Sequence, residues 1–131
     1  LYEANLKTRG NMFTAHALDD ESFMEMCVDM YMSSPEAGSE SSLHIKNKLT
    51  KGIDIVIIMR KVGNSIRIKS ISEIMVNKQG EYDGMSQLYV WTFDPENPLD
   101  GKYARTENRL SPRLKTLLNE NGVPMSEMSD L

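Results

Sequence analysis

The single cysteine of this sequence, Cys27, excludes an internal disulfide, and its scarcity points to a reducing compartment. No run approaches the ~20 apolar residues of a membrane span, and no signal-peptide pattern opens the chain, so membrane insertion is not expected. Basic residues are not in excess. Fifteen Lys and Arg stand against 19 Asp and Glu, a net charge of −4, which argues against direct, sequence-independent binding of nucleic acid. The two histidines, one cysteine and the carboxylates show no metal-ligand spacing, and there are no internal repeats. Gly-x-x-x-x-Gly-Lys-Ser/Thr, the loop that cradles phosphates, is also missing. What is present is ordinary for a globular chain: 40% hydrophobic and 26% charged residues over 131 positions. That length suits one domain, able to bury roughly two-thirds of its unfolded surface without a metal or disulfide staple. The chain opens on Leu1 with no methionine and is read as a piece of something longer.

Residues 10–17, Gly-Asn-Met-Phe-Thr-Ala-His-Ala, read as a short, mostly apolar strand that carries Thr14 and His16 on one face, because side chains alternate with period two. Leu18-Asp19-Asp20 then turns the chain, with Asp19 or Asp20 as N-cap. Phe23, Met26, Cys27, Met30 and Tyr31 follow at helical spacing. Met24, Val28 and Met32 widen the stripe, which predicts a helix over 19–33 buried on more than one side. Methionines in such a stripe fill irregular core gaps more often than they bind partners, and Cys27 reads as a small hydrophobe.

Residues 33–39 read as a loop. A second helix is expected from about Ser41, stopping at Gly52 as C′ residue, with His44 on its solvated side. The run Ile53 to Met59 reads as a strand covered on both faces. Lys61 to Asn64 is a tight turn, and a returning strand runs from Ser65 to Val76 with a bulge near 70–72, where the apolar phase slips. Residues 77–84 are a second turn, Met85 to Phe93 a further strand, and 94–101 a loop. Ser111 and Pro112 open a last helix as N-cap and N1, which ends before Gly122. Residues 125–131 are expected to fray.

The order of these features resembles the C-terminal half of the motor ATPases of type II and type IV secretion, which also drive pilus assembly and conjugation. Gly10, Asn11, Thr14, His16 and Ala17 match the family's His box. Asp54, Arg60, Gly63, Arg67, Ile71, Glu73 and Ile74 match its Asp, apolar strand, Arg, Gly, Arg, Ile-x-Glu-Ile run. The tail, with Trp91, Phe93, Asp94, Asp100-Gly101, Pro112, Leu114 to Leu118 and Gly122, is similar to the tight-adherence pilus and Gram-positive conjugation branch. The family's Thr-Gly-His ahead of the His box is replaced here by Leu6-Lys7-Thr8.

The resemblance implies an α/β fold: the C-terminal part of a RecA-like P-loop NTPase domain, with a β-hairpin extension and a C-terminal helix. Residues 1–94 would form the sheet-and-helix body and 95–131 the tail. It places His16 beside the γ-phosphate of ATP, with Thr14 orienting it, and carries Gly10, Arg60 and Arg67 as candidate nucleotide-contacting positions. For the two arginines, solvated strand-edge charge or a structural or intersubunit role is equally open; Glu73 either pairs with one of them or is exposed. ATP and Mg²⁺ belong to the full-length protein, whose P-loop half would precede Leu1, so this chain alone is not expected to hydrolyse ATP. A hexameric ring at the cytoplasmic face of the membrane, working against an integral membrane platform, completes the expectation. The competing reading is a non-catalytic oligomerisation or partner-docking module in which Thr14 and His16 are structural. A third, a single-strand nucleic-acid binder that stacks bases on Tyr89, Trp91 and Phe93, requires a basic groove.

Overall fold

The structure, a computed structural model, describes residues 12–131. It is a mixed α/β arrangement of helices α1 (Asp20–Met32) and α2 (Ser42–Leu49), strands β1 (Ile55–Val62), β2 (Ser65–Val76), β3 (Tyr82–Phe93) and β4 (Gly101–Arg105), and helix α3 (Pro112–Glu120), closed by a 3₁₀ turn at Met125–Met128. The strands form one antiparallel sheet in the order β1-β2-β3-β4. Each connection is short enough for a hairpin, which is why neighbours in sequence are neighbours in the sheet.

Helices α1 and α2 cover one face of this sheet. Phe23, Met24 and Val28 of α1, Ile45 and Leu49 of α2, and Val56, Ile58 and Ile74 of the strands form a single buried cluster. The stripe on α1 is narrower than its composition suggests: Met30 is 60% and Met32 51% exposed, so the helix is buried on one side only. Its N-terminus is fixed by a capping box, with the Asp19 carboxylate accepting from the Ser22 amide and the Ser22 hydroxyl accepting from the Asp19 amide. Helix α2 starts on Ser41, as expected, but ends at Leu49 with Thr50 as cap. Gly52 lies beyond it without a positive φ.

Strand β1 also departs from expectation. Its burial alternates, with Val56 and Ile58 inside while Ile55, Ile57 and Met59 are 37%, 52% and 60% exposed. An unbroken apolar run looks the same in sequence whether one face or both are covered, and here α1 and α2 cover one. The β1–β2 turn has Gly63 at its first central position with φ 58°, as a type II′ hairpin turn requires. The bulge in β2 is present. Ile58 pairs with Ser70 and Met59 with Ile68, leaving Lys69 as the extra residue. Strand β3 begins at Tyr82 rather than Met85 because Gly84, at φ 86°, is absorbed as a bulge between the Ile74–Met85 and Val76–Tyr82 pairs.

Strand β4 was not legible as a strand, since its five residues carry no apolar alternation longer than Tyr103 and Ala104; pairing with β3 creates it. Helix α3 has Ser111 as N-cap and Pro112 at N1, and Gly122 follows its end at φ 96°. The tail does not fray. Met128 is 1% exposed, and the Leu131 carbonyl accepts from the Leu110 amide.

Candidate functional site

Residues 12–17 are not a strand: they form irregular backbone that makes no main-chain hydrogen bond to another described residue. A strand exists only where a partner ladder exists, and no described strand lies alongside. The segment instead forms one wall of a cleft of about 1710 Å³. Facing it across that cleft is the outer edge of β1, with residues 51–59 lining it without a gap. Side chains of an extended chain alternate, so an unbroken lining run means that the cleft meets the main chain edge-on. Phe23 and Met26 of α1 and Leu114, Leu117 and Leu118 of α3 contribute the remaining apolar surface.

Thr14 and His16 both line this cleft and both are exposed. Neither side chain has a hydrogen-bond partner among the described residues, and Thr14 does not bond to His16, so the orienting contact the resemblance implies is not made here. Among the described residues nothing therefore occupies the His16 ring nitrogens. Gly10 lies outside the described residues.

The turn immediately after His16 is held by β2. The bulge turns Lys69 and Ser70 toward it together: Lys69 Nζ donates to the Leu18 carbonyl at 3.0 Å and Ser70 Oγ to Asp20 Oδ1 at 2.9 Å. Ser72 Oγ and Gln87 Nε2 donate to Asp20 Oδ2, the latter at 3.2 Å. Asp20 is only 5% exposed and forms no ion pair among the described residues. Three side-chain donors and the helix N-terminus compensate its buried charge instead. Asp19, the cap, is exposed. The Ser22 amide, then the Ser22 hydroxyl, hold its carboxyl below the usual carboxylate range, with a smaller contribution from Lys69.

A second buried carboxylate anchors α3. Glu73 pairs in register with Ile55 and so sits on the sheet face opposite the main core. It is fully buried, accepting from the Ser111 amide at 2.8 Å and from the Ser111 hydroxyl. Arg113 reaches it at 3.9 Å through Nη2 while its Nη1 donates to Asp54 at 2.8 Å. Both Asp54 and Arg113 line the cleft. Glu73 thus pairs with neither Arg60 nor Arg67 and is not exposed. A glutamate inside an Ile-Ser-Glu-Ile strand was the signal for a buried carboxylate. Its partners, 38 and 40 positions away, were not readable from spacing.

Arg60 and Arg67 do not line the cleft. They face one another across β1 and β2, with the Arg60 guanidinium 6.0 Å from the Phe93 ring centre and that of Arg67 5.8 Å from Trp91. Trp91 in turn meets Tyr103 edge-on at 4.9 Å, and the Tyr103 hydroxyl accepts from the Ile68 amide. This is cation–π packing between the ends of two hairpins, and it engages Trp91 and Phe93, although Phe93 stays 39% exposed. Cys27 is half-buried against the core, and burial pushes its thiol up, away from nucleophilic character. Among the described residues no group of three His, Cys, Asp or Glu is placed to hold a metal ion. No family model, curated protein or solved structure matches the chain.

Proposed function

We propose that this chain is the C-terminal part of a RecA-like motor ATPase of the secretion, conjugation or pilus-assembly type, and that its cleft is one side of a split nucleotide site. The observation that carries the reading is His16: an exposed histidine with no hydrogen-bond partner among the described residues, lining a cleft bordered by residues 12–17, β1, α1 and α3. The order of motifs from Gly10 to Gly122 in the sequence supports it independently.

In this reading the upstream half brings the phosphate-binding loop, Mg²⁺ and the residue that activates water. His16 donates a hydrogen bond to the γ-phosphate or to the attacking water and changes partner when phosphate leaves. The Lys69 and Asp20 contacts fix the turn at 18–20, so a shift at His16 is handed to α1, joined to it four residues on. The assembled enzyme is a hexameric ring, peripheral at the inner face of the cell membrane, acting on an integral membrane platform.

The test is His16→Ala in the protein that carries both halves. ATP affinity stays within about twofold while turnover falls about 100-fold, the size of a positioned proton-transfer or phosphate contact. Unchanged turnover in the His16 variant removes the residue from the mechanism and leaves the docking-module reading in its place.

A further inference from the structure

We infer that Asn121 is a site of self-modification. Its side-chain amide is lost to attack by the Gly122 main-chain nitrogen when the end of α3 opens, and the product cannot close that end again. The inference goes beyond the motor reading and does not depend on it. Of the asparagines in the sequence, Asn121 alone is followed by glycine, and a glycine puts no side chain in the way of its own nitrogen. The step balances. The Gly122 nitrogen gives up its proton and bonds to Asn121 Cγ, while the Cγ–Nδ2 bond breaks and Nδ2 takes up a proton to leave as ammonia. Water then opens the cyclic imide. Cleavage at Cγ gives aspartate. Cleavage at the Asn121 main-chain carbonyl carbon gives isoaspartate, in which the main chain runs through Cβ and Cγ. Nothing is oxidised or reduced.

The fold holds both reacting groups. Helix α3 ends in a Schellman motif, with Gly122 in the left-handed region at φ 96°. The Gly122 amide donates to the Asn119 carbonyl at 3.0 Å and the Val123 amide to the Leu118 carbonyl at 3.0 Å. The nitrogen that must attack is therefore bound, with its proton directed back along the helix. The group it must attack is bound too, since Asn121 Nδ2 donates to the Leu117 carbonyl at 2.8 Å. Asn121 and Gly122 are exposed, in the frayable end of a helix that opens more readily than the core. The cap that calls for a glycine thus creates the reactive pair and also gates it. Reclosing fails because of charge and length. A carboxylate cannot donate to the Leu117 carbonyl, and its negative charge stands at the helix end that repels it. Isoaspartate also inserts a methylene into the main chain within the motif. Beyond it lies the tail, in which Met128 is 1% exposed and the Leu131 carbonyl accepts from the Leu110 amide. Conversion at Asn121 releases that tail.

The experiment incubates the whole chain at mildly alkaline pH, folded and unfolded in guanidinium chloride, and maps aspartate and isoaspartate by mass spectrometry. Unfolded, Asn121 converts faster than any other asparagine. Folded, it converts about ten to a thousand times more slowly, the range expected for a reaction that waits on opening of a helix end. Met128→Ala, which loosens the tail, raises the folded rate about tenfold, whereas Met125→Ala, at an exposed position, leaves it unchanged. Asn121→Gln keeps an amide donor and stays unmodified. The converted chain, separated by its added negative charge, exchanges the Leu110 amide about tenfold faster than the parent. Three results overturn the inference. One is equal conversion in the folded and unfolded chain, which removes the gate. Another is an Asn121 that stays intact in the folded chain even with Met128→Ala. The third is a converted chain whose Leu110 amide is as well protected as the parent's, which means that the tail was not released.

Discussion

Glu73 shows how much one residue can organise. It occupies a position in the strand run Ile71-Ser72-Glu73-Ile74, yet it is fully buried and takes both the amide and the hydroxyl of Ser111. Through it the N-cap of α3 is tied to the sheet, and through Arg113 the same contact reaches Asp54 beside the cleft. Removing the carboxylate leaves the Ser111 amide and hydroxyl without their acceptor and Arg113 Nη2 without its nearest carboxylate, although Nη1 keeps Asp54. Glu73→Ala is therefore expected to cost about 3 kcal/mol, read as a lower urea midpoint, while Ser111→Ala, which removes the hydroxyl but keeps the amide bond, costs about 1 kcal/mol. Equal losses in the two variants would mean that the carboxylate does no more than the cap. The sequence marks Glu73 as out of place in an apolar strand. It does not mark Ser111 and Arg113 as the answer, because the pairing depends on how α3 docks, and the apolar period of α3 sets only which side faces inward.

At the scale of the element, legibility followed the locality of the cause. Helix α1, the β1–β2 turn, the Lys69 bulge and the start of α3 are produced by caps, a glycine at φ 58° and a slip in apolar phase, all within a few residues. Strand β4 and the exposure of Ile57 were not readable, because each depends on which distant surface arrives. The wall at 12–17 is the same case in reverse: an apolar run alternating like a strand has no ladder among the described residues. The Asp19 cap gives an element-level pH dependence. Its carboxyl is held low in the folded chain by the Ser22 amide and hydroxyl, so the ionised cap stabilises α1 fully above the ordinary aspartate value of about 4. That contribution is lost as pH falls through the lower folded value. Asp19→Asn still caps but cannot titrate, so its thermal midpoint should decline less steeply than that of the parent chain below about pH 4. Parallel declines would mean that the acid sensitivity lies in other carboxylates.

Taken as a whole molecule, the chain has one well-made face and one that is only partly covered. Helices α1 and α2 bury Val56, Ile58 and Ile74, whereas on the other side the start of α3 is tied to Glu73 and Ile57 and Met59 stay open. The tail from Pro124 onward is anchored rather than loose, since Met128 is as deeply buried as Met24. The Leu110–Leu131 backbone bond returns the C-terminus to the start of α3. Met128→Ala is expected to destabilise by about 3 kcal/mol, the usual result of emptying a packed methionine site, whereas Met125→Ala, 55% exposed, should stay within about 0.5 kcal/mol. Both are measured by urea unfolding, with an unchanged denaturant slope showing that a single cooperative unit is being weakened. A reduced slope for the Met128 variant would instead show that α3 and the tail unfold on their own. The open side would then be a separate layer resting on the sheet, and the cleft would lose its lower wall before the core melts.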